Sequence, residues 1–266
     1  MFVDIDPTTF CINPDLIEDA ITTRTSAILP THVYGIPRDV DKIKQIAEKH
    51  GLKVIYDATH AFGVRYQGKS LTDYGDASIL SFYATKLFHT IEGGAIITKD
   101  EDIAHRIRYM RNFSHKGKED FWGLGINGKN SEVHAAMGLC VLPYVNDIIM
   151  ARYQVTKWYE VFLDNKHITR PTLPKHTEYN YAYFPVLFHT EEQLIKVQEN
   201  LHKHNIFPRR YFYPSLTTLP YISGVDTIIA QDFSKRVLCL PIYHDLTLED
   251  VKTIAYLIDS GDEHKW

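Results

Sequence analysis

The stretch SFYATKLFHTIEGGAIITKD, Ser81 to Asp100, sets Lys86 among aromatic residues and ahead of a Glu-Gly-Gly turn. The run before it, ASILSFYAT, alternates with a period of two: Ser78, Leu80 and Phe82 on one side, Ile79, Ser81 and Tyr83 on the other. A lysine at the end of such a strand, beside a glycine turn, can be an amine kept for covalent chemistry. It can equally be a lysine whose stem lies along apolar surface while its charge stays in water. These residues alone leave both readings open.

Two more polar groups fall at a strand end. Asp57 follows KVIY and His60 comes one turn later, in VIYDATHAFG. Singly, each has a plain structural reading: Asp57 as a turn cap, His60 as a half-buried ring, Ser81 as a residue facing its neighbour strand. In open α/β sheets, however, ligands bind beyond the carboxyl ends of the strands. An amine for an imine, a carboxylate to keep a pyridine nitrogen protonated, and hydroxyl or N–H donors for a phosphate are the three needs of a pyridoxal phosphate site. Lys86, Asp57 and Ser81 supply them on consecutive strands. Other chemistries fit less well. GLGING (Gly123 to Gly128) has neither the spacing nor the preceding strand of a dinucleotide site. A metal set of Asp57, His60, His32 and His89 is conceivable, but with 14 histidines such pairings arise by chance. Phosphate-binding GxxxxGK loops and nucleophile elbows are absent.

The elements that must hold these groups read as alternating strand and helix. PRDVDKIKQIAEKHG has Val40, Ile43, Ile46 and Ala47 on one stripe with Gly51 as its stop. It lies between the strands TSAILP and KVIYD, which predicts a βαβ unit and a mostly parallel sheet. DASILSFYA and GGAIIT continue the sheet. Asn13-Pro14 predicts a helix to about Ile21, Asp100 caps a helix over DEDIAHRIRYMRNF, and Ser131 caps SEVHAAMGLCVL, which Pro143 interrupts or kinks before a second long amphipathic stretch to about Leu163. From RPTLPKHTEY onward the pattern suggests a smaller α/β unit. The expected division is residues 1–150 and 151–266. With 44% hydrophobic residues the chain can bury a sizeable core. A formal net charge of −4 offers no footprint for nucleic acid. Three scattered cysteines suit a reducing compartment, and neither a membrane-length apolar run nor a leader pattern is evident. The expectation is a cytoplasmic protein.

THVYG, VIYDATHAFGVRYQGK, GDASILSFYATKLFHTIEGGAIIT and GINGKNSEVHAAMG resemble, in order and spacing, the DegT/DnrJ/EryC1/StrS family of pyridoxal-phosphate-dependent sugar aminotransferases. The wording of SFYATKLFHTIEGG, INGKNSE and RRYFYPSL is most similar to the branch acting at C3 of dTDP-linked 3-keto-6-deoxyhexoses. The resemblance implies a transferase of fold type I, a homodimer with shared sites, and L-glutamate as amino donor. It assigns Lys86 to the imine, Asp57 to the pyridine nitrogen, His60 to the cofactor's phenolic oxygen and Ser81 to its phosphate. Asn127 would reach the partner's phosphate, and Arg210, Tyr211 and Tyr213 would lie near the sugar nucleotide. Lys129-Asn130 stands where the family motif normally continues Arg-Met. Family members carry a further portion ahead of the part resembling FVDIDPTTFCINPDLIEDAI, which holds a phosphate-cupping turn and a ring-stacking group. The large domain is therefore expected to be incomplete. Alternatives are an impaired paralogue or fragment that binds a ligand or partner, and a sugar dehydratase, in which a histidine replaces the lysine.

Overall fold

The computed structural model describes residues 1–164, 166, 168–223 and 226–260. Helix α1 (Val40–His50) begins where Asp39 accepts the Lys42 N–H and ends where Gly51 turns left-handed at φ 64°, a conformation that costs glycine no Cβ clash. Its buried stripe is Val40, Ile43, Ile46 and Ala47. The stripe shares a core with Val54, Tyr56 and Leu80 of a four-stranded sheet. That sheet consists of β1 (Ala27–Ile28), β2 (Lys53–Asp57), β3 (Ala77–Ser81) and β4 (Gly94–Thr98), in this spatial order. The first three strands run parallel, and β4 returns antiparallel with Gly94 opposite Ser81. This is the mostly parallel α/β layer that the sequence pattern predicts.

After β4, Asp100 caps α2 (Glu101–Met110) and Ser131 caps α3 (Glu132–Val141) through their side chains. Between them lies an antiparallel excursion in which Asn112 faces Asn127 and His115 faces Phe121. Trp122 anchors it against His105 and Tyr109 of α2.

The second core belongs to an antiparallel sheet of β5 (Ile168–Thr169), β6 (Phe184–Phe188) and β7 (Val237–Leu240), with β6 in the middle. Every residue of β6 and β7 is buried, as expected for strands covered on both faces. Phe184, Val186, Phe188, Leu238 and Leu240 face the core under α4 (Val145–Phe162), α5 (Glu191–Lys203) and α7 (Leu248–Asp259). Leu187, Val237 and Cys239 face Tyr34 and Ile36 of the first unit. Helix α6 (Ile228–Arg236) has no cap from its own Thr227. Asp4 caps it instead, accepting the Ile229 and Ala230 N–H groups at 2.9 Å each. We propose the two cores as two folding units, with α4 crossing the sequence-based boundary at residue 150.

Two expectations are corrected. The helix from Asn13 is a pair of short 3-10 turns, Pro14–Leu16 and Glu18–Ala20. Only Ile17 is buried in residues 13–20, too little packing to offset helix nucleation. Secondly, one helical run, Glu132–Phe162, is long and apolar enough to cross a membrane, with 11% of its most apolar window buried. Pro143 hides the run in the sequence, yet it stands in the first turn of the 3-10 segment Leu142–Tyr144, where a missing N–H is tolerated and the helix continues.

Because Ile43 is fully buried beneath the sheet, Ile43→Ala is expected to cost about 2–5 kcal/mol of folding stability, measured by urea unfolding.

Candidate active site

The end of β2 is fixed by backbone bonds on both sides. The Asp57 N–H donates to the Pro30 carbonyl and the Asp57 carbonyl accepts the His32 N–H, each at 2.9 Å. On the other side the Ala58 N–H donates to the Ile79 carbonyl of β3, again at 2.9 Å. The carboxylate of Asp57 accepts the Thr59 N–H at 3.1 Å, closing the turn that leads to His60.

His60 is 6% exposed. Its Nδ1 accepts the Tyr34 N–H at 3.0 Å, which leaves the neutral ring's proton on Nε2. Tyr183 packs on the ring at 4.5 Å and Phe212 stacks nearly parallel to it at 5.6 Å. Burial, with the Lys86 charge as a smaller cause, pushes the imidazole pKa down to about 3. The ring is therefore neutral at physiological pH.

Lys86 follows a turn in which its N–H donates to the Tyr83 carbonyl at 2.9 Å. Its side chain is half-buried, and burial lowers its pKa while the Asp57 charge partly opposes that. A lowered value raises the fraction of neutral, nucleophilic amine. Asp57, His60 and Lys86 line one cavity of about 510 Å³, with Tyr34, Phe212 and Phe233 among its apolar walls.

The other residues singled out in the sequence lie elsewhere. Ser81 ends β3, its Oγ accepting the Tyr83 N–H at 3.4 Å, and does not line this cavity. Asn127 is exposed on the excursion after α2, bonded to Lys129 at 2.7 Å. Arg210 donates to Glu191 at 2.8 Å and to the Lys235 carbonyl, and stacks on Tyr213 at 3.9 Å. Tyr211 packs against Tyr183 and lends its carbonyl to the Tyr34 hydroxyl. From RRYFYPS it is Phe212, Pro214 and Ser215 that reach the cavity wall. Sequence reasoning favoured the polar-tipped aromatics, whereas the wall takes the apolar ring between them. Tyr34 was also missed, although THVYG lies just past a strand end. The metal set does not assemble. His32 stacks on Tyr56 at 4.6 Å, His89 accepts the Ile91 N–H, and no cluster of three metal-binding side chains occurs among the described residues.

A family profile described as the DegT/DnrJ/EryC1/StrS aminotransferase family matches residues 1–259. Similar proteins include the dTDP-4-amino-4,6-dideoxy-D-glucose transaminases of Shigella dysenteriae, 38% identical, and Escherichia coli, 40% identical. Each match covers 97% of this chain and 72% of the relative. Among solved structures, DesI in the presence of its TDP-sugar product superposes with a TM-score of 0.89 at 32% identity. That match covers 97% of this chain and 68% of DesI.

His60 and His32 both have pKa values lowered to about 3 in the fold, so between pH 6.5 and 3 the unfolded chain binds two protons that the native rings do not. Stability therefore falls as pH drops through that window. His60→Gln removes one of the two protons. Its unfolding free energy is expected to depend less steeply on pH, by up to about 1.4 kcal/mol per pH unit, in urea titrations between about pH 4 and 6.

Proposed function

Because the chain belongs to the DegT/DnrJ/EryC1/StrS aminotransferase family, we propose that it moves an amino group from L-glutamate to the C4 keto carbon of a dTDP-linked 6-deoxyhexose. Its fold is the type I fold of pyridoxal-phosphate-dependent transferases, and its cofactor is pyridoxal 5'-phosphate. The substrate class is a nucleotide-linked deoxysugar. The observation that carries the site reading is the convergence of Lys86, Asp57 and His60 on one cavity.

These groups fit the cofactor by their chemistry: a half-buried amine, a carboxylate and a fixed imidazole N–H around a single recess. When bound, the cofactor supplies an electron sink for the pair left by proton loss at the substrate carbon. Asp57 holds a positively charged ring nitrogen by its opposite charge. His60 offers Nε2–H as a donor that Tyr34 keeps from turning. Lys86 would hold the cofactor, and its free amine would take and return the substrate's proton at Nζ. Ser81, at the end of β3, and Asn127 are assigned to the phosphate, Asn127 acting on a second copy's site. The segment holding Arg210, Tyr211 and Tyr213 is assigned to the sugar nucleotide, with Phe212 as its ring on the cavity wall.

The dimer reading is supported by apolar residues left exposed along α3 and α4, including Val133, Leu139, Leu142 and Met150. A second copy with the same face supplies a matching cover. The excursion bearing Asn127 directly precedes this face. The two similar transaminases carry names with a 4-amino group on the sugar, which supports the C4 reading. The C3 reading is retained as second because the wording of SFYATKLFHTIEGG and INGKNSE favours it. The lysine at position 86 speaks against the dehydratase, and the assembled triad against a binding-only remnant.

Borohydride reduction of the loaded enzyme should trap the cofactor on Lys86. Lys86→Ala should trap none and lose about a thousandfold or more in kcat; trapping in that variant would end the assignment. NMR of the product made from the dTDP-linked 4-keto and 3-keto sugars decides the carbon, with nitrogen expected at C4. Mixing inactive Lys86→Ala and Asn127→Ala chains should form hybrid dimers with one repaired site. Subunit exchange without recovered activity would rule out shared sites.

A further inference from the structure

Asn180 is fully buried, and no role described above uses it. Its Nδ2 donates to the carbonyls of His60 and Phe62, both at 2.9 Å, and its Oδ1 accepts the Ala182 N–H at 3.1 Å. Both amide hydrogens are thus spent on the turn that carries His60. The corner holding Asn180 is itself anchored: Arg152 of α4 donates to the Ala182 carbonyl at 3.0 Å, and Tyr181 is left-handed at φ 52°. Gly35 also packs closely against the same turn. A Cβ at Gly35 would stand 2.7 Å from the His60 carbonyl oxygen and 3.2 Å from Asn180 Oδ1. His60 is therefore held at its carbonyl by Asn180, at Nδ1 by Tyr34 and against its backbone by Gly35.

We propose that Asn180 is a positioning residue for amino transfer: its amide sets the height of the His60–Phe62 turn, and so the direction in which the His60 ring and the Asp57 carboxylate meet the cavity. The inference rests on the reading that Asp57, His60 and Lys86 hold the cofactor. The physical reason is that two carbonyls pointing into a buried region need donors. Without them the turn moves to find water, and displacements of that kind at a reacting centre are costly in rate. An aspartate at the same place sharpens the argument. Protonated, it donates to one carbonyl; ionised, it sets a negative oxygen against both. The charged and titratable groups around His60 are Lys86 and Asp57 at the cavity, with Tyr34 and Tyr183 beside the ring.

Asn180→Leu and Asn180→Asp are compared with the parent as full chains loaded with cofactor. For Asn180→Leu the expected result is a fall in kcat of about tenfold to a hundredfold with KM for the sugar nearly unchanged. For Asn180→Asp, kcat should gain a limb that falls as pH rises. In cofactor-free protein the His60 ring signals in NMR should be silent between about pH 5 and 8 in the parent and begin to titrate in Asn180→Leu. Parent values for the kinetic split, the pH profile and the His60 titration would overturn the inference, even if the melting temperature drops. If both variants fail to fold, Asn180→Gln, which keeps donor and acceptor but shifts them by one methylene, is read by the kinetic split and the His60 titration and decides. Borohydride trapping separates the two levels. Normal trapping on Lys86 with unchanged Asn180 variants defeats this inference alone, whereas trapping in Lys86→Ala defeats the site on which it rests.

Discussion

The parallel register of β2 between its neighbours is the constraint on which the site depends. Asp57 is bonded through its backbone to Pro30 and His32 on one side, and the next residue, Ala58, to Ile79 on the other. A strand end gripped in this way cannot fray. The carboxylate, the turn to His60 and the approach of Lys86 are all measured from that point. The apolar run that makes β2 a buried strand also delivers its first polar side chain at the edge of the core. Fold and site therefore share one cause. Strand pairing buries Val54 and Tyr56 and, in the same step, sets Asp57 beside the cavity.

The second unit closes what the first presents. Tyr34 adopts a left-handed φ of 57°, which costs a non-glycine residue on the order of 1–3 kcal/mol. It persists because the residue is bonded at three points: its N–H to His60, its hydroxyl to the Tyr211 carbonyl, and its carbonyl from the Tyr179 hydroxyl at 2.7 Å. Two of these partners come from beyond residue 170. The alternation of β6 and β7 serves the same end. One face of that sheet completes the helical core, while Leu187, Val237 and Cys239 reach back to Tyr34 and Ile36. The cavity lies close to that contact, with walls from both units, so neither unit alone shapes it.

What could be read in the sequence follows the reach of each interaction. Val40, Ile43, Ile46 and Ala47 recur with a helical period and Gly51 stops them, so α1 and its C-terminal end were legible. Lys86, Asp57 and His60 could be grouped because a parallel sheet delivers its strand ends to one side. The helix expected from Asn13 failed because capping signals were present without packing to reward them. The run through Pro143 reads in the sequence as two stretches, because proline marks a break only where a hydrogen bond is lost. Phe212 and Asn180 were out of reach for a different reason. Their partner His60 lies over 100 residues away, and no local period announces such a contact.

The buried histidines show how a site is told from a core. His32 and His60 are both deeply buried, and desolvation pushes both rings down to about 3. Arg38, 2% exposed, is likewise lowered to about 9. Titration alone would rank all three as functional. Their surroundings do not. His32 lies flat on Tyr56 with its Nδ1 accepting the Arg38 N–H, and Arg38 donates to the Ile36 carbonyl, so both are engaged inside the fold. His60 borders the cavity that also receives an amine and a carboxylate. Depressed pKa values here record burial, and it is the meeting of three different chemistries at one strand end that separates the site from the core around it.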